Sequence, residues 1–336
     1  MKIVGLKNLI VQHEMPGAIN RLEKELLDNV LNEIGSILCE FISAREEVLS
    51  SGNEQEIAEF NVYASRLDRI VARIIALRPL SALKFDRWKD QNGNSILQLI
   101  FDADFISSAI EAIVHDKEFM NKQITCNGEE MNIVKAFIAE KKNYKMARFM
   151  LDSMVFRYSK DVNGRTSSMY CVQAGFEDLV LQALDDEKLA TMQDRKGYNL
   201  GMLSAKYGLS AATNKALDSY HASTQCNILN ENIGIIAAKN GDISESIINK
   251  ALDNVAACTM QDCKGYNMGM YICEQYNKGQ RVLSLSMKYD MGRSSILCQK
   301  ALHNKHAREQ KNMHGKTMVD IAKERGLAIS SYNYFI

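Results

Sequence analysis

The side chains best suited to chemistry lie near the end of this sequence. Cys298, His303, His306 and His314 are zinc-ligand types, and His303 and His306 form an HNKH run. Structural zinc needs four converging ligands, and these residues are divided between a helix end and a separate loop. Histidines at a helix C-terminus also interact favourably with its dipole without any metal. The sequence therefore predicts no metal site and no cofactor. His13, His115 and His221 are isolated. No G-x-S-x-G, GxxxxGKS/T, HExxH or strand-borne GxGxxG is present, so no reaction is predicted either. The eight cysteines include no CxxC pair, and most sit among apolar helix residues as reduced, small core hydrophobes.

Composition narrows the classes further. Lys plus Arg equals Asp plus Glu at 41 each, which leaves no excess charge to drive binding to nucleic acid. The opening MKIVGLKNLIVQHEM is interrupted by His13 and Glu14 before a signal-like apolar stretch develops, and no run approaches the roughly 18 apolar residues of a membrane span. The expectation is a soluble, monomeric, cytoplasmic protein with no membrane insertion. With 46% hydrophobic residues, only two prolines and 336 residues, the chain reads as all-α and as either two domains or one elongated array.

The elements that must position any site can be read from periodicity. From Ala18 to Leu49 the residues Ile19, Leu22, Leu26, Val30, Ile34, Ile37, Leu38 and Phe41 form one apolar helical face. After Ser51-Gly52-Asn53 a second face runs through Ile57, Phe60, Ala64, Leu67, Val71, Ile74 and Ile75, and Pro79 ends it. Residues 1–89 are thus expected to be a helical hairpin that caps the rest of the chain; the alternative is that its apolar faces pair with another chain as a coiled coil, against which the strict heptad is broken. From Asp90 a repeat begins, with turn glycines at Gly93, Gly128, Gly164, Gly197, Gly265 and Gly315 and Asn230 in the same column. Their spacings are 35, 36, 33, 33, 35 and 50 residues. DRKGYNLGMLSAKYG at 194–208 and DCKGYNMGMYICEQY at 262–276 are near copies. Ser95, Thr166, Asn199, Asn232, Asn267 and Thr317 share one column as helix caps, broken at Glu130. A short inner helix ends near Gly175, Gly208, Gly241 or Gly326, and an outer helix with paired apolar residues comes next, so one turn and two antiparallel helices make the unit. The unit from Asp262 is about 16 residues longer than its neighbours, the surplus lying near 277–292.

NMHGKTMVDIAKERG at 312–326 resembles the ankyrin pattern G-x-T-P-L-x-x-A-x-x-x-G, and the resemblance covers residues 90–336 as six units and a truncated last one. It implies an ankyrin-like helical repeat solenoid behind the N-terminal hairpin. Met131, Ser167, Leu200, Ile233, Met268 and Met318 stand where ankyrin repeats usually carry Pro, which leaves helix initiation to the caps. Gly201, Gly234 and Gly269 recur inside the inner helix, where each costs about 1 kcal/mol relative to Ala; their common register points to close approach of neighbouring inner helices. The degenerate, Pro-poor repeats are similar to those of ankyrin proteins that intracellular bacteria deliver into host cells.

In such stacks, turn positions two, three and five and the end of the inner helix face the concave surface. Read by register, this implies a protein-binding site made of Arg165, Arg195, Lys196, Tyr198, Lys206, Tyr207, Lys264, Tyr266 and Gln275, with Val162, Ile228, Leu229 and Cys263 on the same positions. Tyr and Arg suit interface anchors, and the basic residues imply a partner with an acidic surface. The resemblance thus implies a scaffold for protein–protein interaction, acting in the host cytosol if delivered there. The alternative is an enzyme or metal-dependent module whose pocket the 277–311 region completes.

Overall fold

A computed structural model describes residues 27–76, 88–115, 122–240, 244–274 and 290–326; Gln275 and the 277–289 part of the expected surplus lie outside the described residues. The described residues are mostly helical. The chain divides into two compact units, Met1–Phe149 and Met150–Ile336, so the segments that open at Asp90 and near Thr125 group with the N-terminal helices.

In the first unit, α1 (Leu27–Ser51) and α2 (Glu54–Ala76) form the expected pair. Gly52 takes the left-handed conformation at φ 65°, and the Asn53 Oδ1 atom accepts from Gln55 N at 3.1 Å to start α2. The periodic residues Ile34, Leu38, Phe41, Phe60, Leu67, Val71 and Ile75 are buried. The Phe41 ring lies 4.9 Å from that of Phe60 and 4.7 Å from that of Phe105. These faces pack on α3 (Ile96–Asp102) and α4 (Ile106–His115), α1 against the former and α2 against the latter. A polar clamp fixes the second contact: both Asp68 carboxylate oxygens accept from the first turn of α4, from Ser107 N and Ser108 N at 2.8 Å each. A carboxylate there also complements the helix dipole.

The Glu130 break in the cap column has a structural cause. Residues Gln123–Cys126 (β1) and Glu129–Asn132 (β2) pair antiparallel across Asn127-Gly128, both at positive φ (53° and 81°), the turn that best matches strand twist. The hairpin pushes the cap two residues on, to Asn132, which accepts from Val134 N and Lys135 N ahead of α5 (Ile133–Lys135). One π-helical turn, Ala136–Glu140, continues it, and α6 (Tyr144–Asp152) comes next, within which the division between units falls.

In the second unit the inner helices are α7 (Ser167–Ala174), α10 (Leu200–Lys206), α13 (Ile233–Lys239), α16 (described over 268–274) and α19 (Met318–Glu324). The outer ones are α8 (Glu177–Leu184), α11 (Ser210–Asp218), α14 (Glu245–Asp253) and α17 (Asp290–His303). A third helix, not expected from the sequence, closes each unit: α9 (Glu187–Thr191), α12 (Tyr220–Thr224), α15 (Val255–Thr259) and α18 (Lys305–Glu309). At five residues these are too short for an apolar period to show, and Asp186, Ser219, Asn254 and Asn304 cap them. Each outer helix packs on the next outer helix and each third helix on the next third helix.

The cap column is occupied as expected, but its asparagines do two jobs. The Oδ1 atoms of Asn199, Asn232 and Asn267 accept from Met202 N, Ile235 N and Met270 N at 2.8–3.0 Å. Their Nδ2 atoms donate to the carbonyls of Ala222, Ala257 and Ala307, the middle residues of the third helices. Thr317 forms a capping box with Asp320, whereas the Thr166 hydroxyl pairs with that of Ser168 at 2.7 Å and leaves its helix without a side-chain cap.

The inner-helix glycines meet the next unit directly. A Cβ on Gly201 would lie 2.6 Å from Ile233 Cδ1 and from Ala216 Cβ; one on Gly234 would lie 3.2 Å from Met268 Sδ, and one on Gly269 2.9 Å from Met318 Sδ. In each pair the first residue of an inner helix seats on the glycine at the second position of the one before.

Two measurements probe this packing. In a free helix Gly→Ala gains about 1 kcal/mol, but overpacking a filled core costs about 1–3 kcal/mol, so Gly201→Ala should lower stability in denaturant melts; a stabilised variant would show the notch to be loose. Second, Cys171, Cys258, Cys273 and Cys298 are buried and burial pushes the Cys171 thiol up to about 12, while Cys263 is exposed on a turn. A thiol reagent should label Cys263 first and those four only on unfolding.

Candidate turn-row interface

Each turn of the second unit is built on its first residue. Asp161, Asp194, Asn227, Asp262 and Asn312 are at most 8% exposed, and the Oδ1 atom of each accepts two backbone N–H bonds, from the residues two and four positions on. The resulting loop needs a left-handed residue at its fourth position. Gly164, Gly197, Gly265 and Gly315 supply it at φ 72–78°, and Asn230 does so at 58°, which confirms its place in the glycine column. Gly197 is required twice over, since a Cβ there would lie 2.8 Å from Asn227 Cα of the next turn.

Successive turns are hydrogen-bonded to one another. Arg195 N donates to Asn163 O (2.9 Å), Ile228 N to Lys196 O (3.0 Å), Cys263 N to Leu229 O (2.9 Å) and Met313 N to Lys264 O (3.0 Å). Position two of each turn is therefore tied to position three of the one before, and the side chains at both positions are left outward.

Behind this row the buried carboxylates have partners. The Tyr170 hydroxyl donates to Asp161 and the Tyr271 hydroxyl to Asp262 (2.5 Å). Arg165 Nε lies 3.4 Å from Asp194 Oδ2. Lys239 pairs with Glu231, stands 3.6 Å from Asp262 and lies 4.3 Å from the Tyr271 ring centroid. Burial works against the Lys239 charge, but its bonds to Glu231 and Tyr271 outweigh this and its pKa is raised. The Tyr271 phenol is pushed up to about 12, by burial first and then by its bond to Asp262.

These contacts sort the residues singled out from the sequence. Arg195, Lys196 and Lys264 are exposed and form no ion pair among the described residues. Lys206 and Tyr207 are exposed but engaged: Lys206 Nζ sits 5.0 Å over the Tyr198 ring, and the Tyr207 hydroxyl accepts from Gln173 Nε2 at 2.8 Å. Arg165 is a partly buried counter-ion of the stack. Tyr198 and Tyr266 are half-buried; Tyr266 lies 5.2 Å from the Tyr271 ring, and burial is the first cause of the raised pKa of both phenols. Gln275 lies outside the described residues.

Two features were not foreseen from the sequence. Met313 is exposed at position two of the last turn, on the register that places Val162 and Ile228 there. Lys215, Lys250 and Lys300 on successive outer helices donate to the carbonyls of Leu181, Asn214 and Asn249 and pair with Asp185, Asp218 and Asp253 at 2.5–2.8 Å. The signal was the repeated K-A-L followed by Asp, at 215–218 and 250–253.

The residues with a metal-like look are not drawn together. Cys298 is buried, with its thiol 3.7 Å from Ile272 O; His303 Nδ1 lies 2.6 Å from the Gln299 carbonyl; His306 is on α18 and His314 on the last turn. Among the described residues no group of three or more His, Cys, Asp or Glu is arranged to hold a metal ion. An open depression of about 550 Å³ lies between α9 and α12, lined by Glu187, Lys188, Thr191, His221, Thr224 and Gln225. Its His221–Glu187 contact of 3.4 Å is largely solvent-exposed and correspondingly weak. No described helix is long and apolar enough to cross a membrane.

No family model matches the chain, and no curated protein matches it. Among solved structures it is similar to a chain from a complex of a predatory endopeptidase of Bdellovibrio bacteriovorus with an immunity protein, at 13% identity and a TM-score of 0.41, over 57% of this chain and 91% of that one.

Proposed function

We propose that the chain is an ankyrin-type repeat solenoid that acts as a scaffold, binding an acidic protein surface through the exposed turn row rather than catalysing a reaction. The observation that carries this reading is the division of charge within the turns. The carboxylates that build them are buried and matched by Tyr170, Arg165, Lys239 and Tyr271, while Arg195, Lys196 and Lys264 stand outward on hydrogen-bonded turns. In a solenoid each repeat is held by its neighbours alone, so outward residues that the stack does not use are available to a partner. Cations held on a rigid frame complement an acidic surface and speed its approach. On this reading the protein works as a monomer in a cytosol, that of a host cell if a bacterium delivers it there.

The test is charge reversal. Arg195→Glu, Lys196→Glu and Lys264→Glu together should leave the circular dichroism melt close to wild type, since an exposed substitution changes stability by no more than about 0.5 kcal/mol. The same variant should lose the protein captured by wild type from host-cell lysate, and wild-type association should slow as salt rises. Retention of the partner by the reversed protein overturns the reading.

The tyrosines separate packing from recognition. Read from the sequence as partner-facing residues, Tyr198 and Tyr266 should tolerate replacement by Ala with the melting temperature nearly unchanged. Their half-burial reverses that expectation: the pair should cost about 2 kcal/mol in urea unfolding, with Tyr→Phe at both sites retaining most of it. An unchanged midpoint would return both tyrosines to the partner-binding set.

A further inference from the structure

Cys273 and Cys298 stand on facing helices of the longest unit. A Cβ on Gly269 of α16 would lie 3.2 Å from Ala301 Cβ of α17, and one turn further along α16 the Cys298 Sγ atom lies 3.7 Å from the Ile272 carbonyl oxygen. Contacts that rise along α16 fall along α17, so the two helices run antiparallel. Cys273, four residues after Gly269, is therefore opposite Cys298, three residues before Ala301. Both cysteines and Ala301 are fully buried. The Cys273 thiol is held above its ordinary pKa by its contact with the Cys298 thiol first and by burial second, which agrees with this pairing.

The backbone spacing suits a covalent bond between them. Bridged cysteines keep their Cβ atoms about 3.5–4.5 Å apart, and the Gly269–Ala301 contact shows the two helices closing to within that separation one turn away. Gly201 and Ala216 make the same contact two units earlier, which fixes the register of the repeat. In that register the other units carry Val172 with Val180, Ala205 with Thr213 and Ala238 with Ile248 where this one carries its two cysteines. The stack therefore does not need sulfur there. Those other pairs are also close in sequence, whereas Cys273 and Cys298 are separated by residues 274–297, which include the surplus of the long unit.

We infer that Cys273 and Cys298 form a redox site, joined as a disulfide by an oxidised low-molecular-weight thiol and parted again by its reduced form. One cysteine thiolate attacks a sulfur of the oxidant, whose S–S bond breaks and releases half of it as a thiolate. The second cysteine thiolate attacks the protein-bound sulfur, the new S–S bond forms, and the other half leaves. Two electrons pass to the oxidant, and the two protein protons end on its released thiols. Because both sulfurs are closed off in the folded unit, exchange proceeds through opening of that unit, and oxidation locks it on reclosing. The bond closes a ring of about 25 residues and so removes freedom from the unfolded chain. The inference stands apart from the scaffold reading and does not depend on it.

The experiment holds the full chain with oxidised glutathione in urea just below its unfolding transition, returns it to buffer, blocks free thiols and maps the peptides by mass spectrometry. A peptide pair joined through Cys273 and Cys298 is expected, forming faster as urea rises and lost on reduction with dithiothreitol. The oxidised protein should melt about 6–12 °C above the reduced one. Cys298→Ala and Cys273→Ala, treated in the same way, should show no such rise, and their reduced melts show that they fold. Recovery of the two cysteines as free thiols, as separate glutathione adducts or bonded to Cys258 or Cys263 overturns the inference. So does a Cys273–Cys298 bond that leaves the melt unchanged or lowers it, since the helices would then have been strained to make it.

Discussion

The second unit depends on one interaction: a nearly buried carboxylate or amide oxygen at the head of each turn that accepts two backbone N–H bonds. Removing a charge from water is costly unless it is paired and bonded. Once Asp161, Asp194 and Asp262 are committed to shaping the loop, a donor must reach the remaining oxygen. Tyr170, Arg165 and Tyr271 are those donors, and each comes from an adjoining inner helix or the turn before. Asn227 reaches the same shape without charge, and there its Nδ2 donates to Glu231, whose own charge is met by Lys239. The first unit uses the device too: Asp90 Oδ1 accepts from Asn92 N and Asn94 N at 2.9 and 2.7 Å ahead of the Ser95 cap.

This accounts for which residues the turns hold and which they leave. Positions one, four and five are fixed by electrostatics, backbone conformation and contact with the next turn. Positions two and three give only their backbone N–H and C=O to the row, so their side chains are unconstrained by folding. The division explains why reading every turn cation as a binding residue put Arg165 with Arg195: both are arginines near a turn glycine, but one faces Asp194 and the other faces outward.

The helical architecture was largely legible because its signals are local and repeated. The periodic faces of α1 and α2, the left-handed column including Asn230, and the caps at Ser95, Asn199, Asn232, Asn267 and Thr317 lie where their chemistry requires. What was missed is either short or relational. The β1–β2 hairpin was signalled by Asn127-Gly128, but aligning Gly128 with the turn glycines of other units absorbed it into the repeat. The third helices are shorter than the window in which periodicity shows. Half-burial of Tyr198 and Tyr266, and the second bond of each cap asparagine, depend on neighbours many residues away that no single repeat reveals.

The absence of proline at the first position of these inner helices has a packing explanation. Proline at the first helical position presets φ and gives up a donor that the helix does not use. Here that position carries Leu200, Ile233, Met268 and Met318, all fully buried, and three of these side chains seat on the glycine of the preceding inner helix. A pyrrolidine ring is too short to fill that notch, and an alanine in place of the glycine would close it. The two features therefore belong together: glycine at the second position makes room, and a long apolar residue at the first position of the next helix occupies it. Helix initiation then relies on the asparagine caps, and adjacent units are coupled through side-chain interdigitation. Where the pair is absent, at Ser167 and Ser168, the Ser167 hydroxyl is buried without a hydrogen-bond partner and Thr166 gives no side-chain cap. That inner helix is held instead by its Gly175 exit and by the Tyr170–Asp161 bond, which ties it to its own turn, and the seating of a side chain on an inner-helix glycine begins with Gly201 and Ile233.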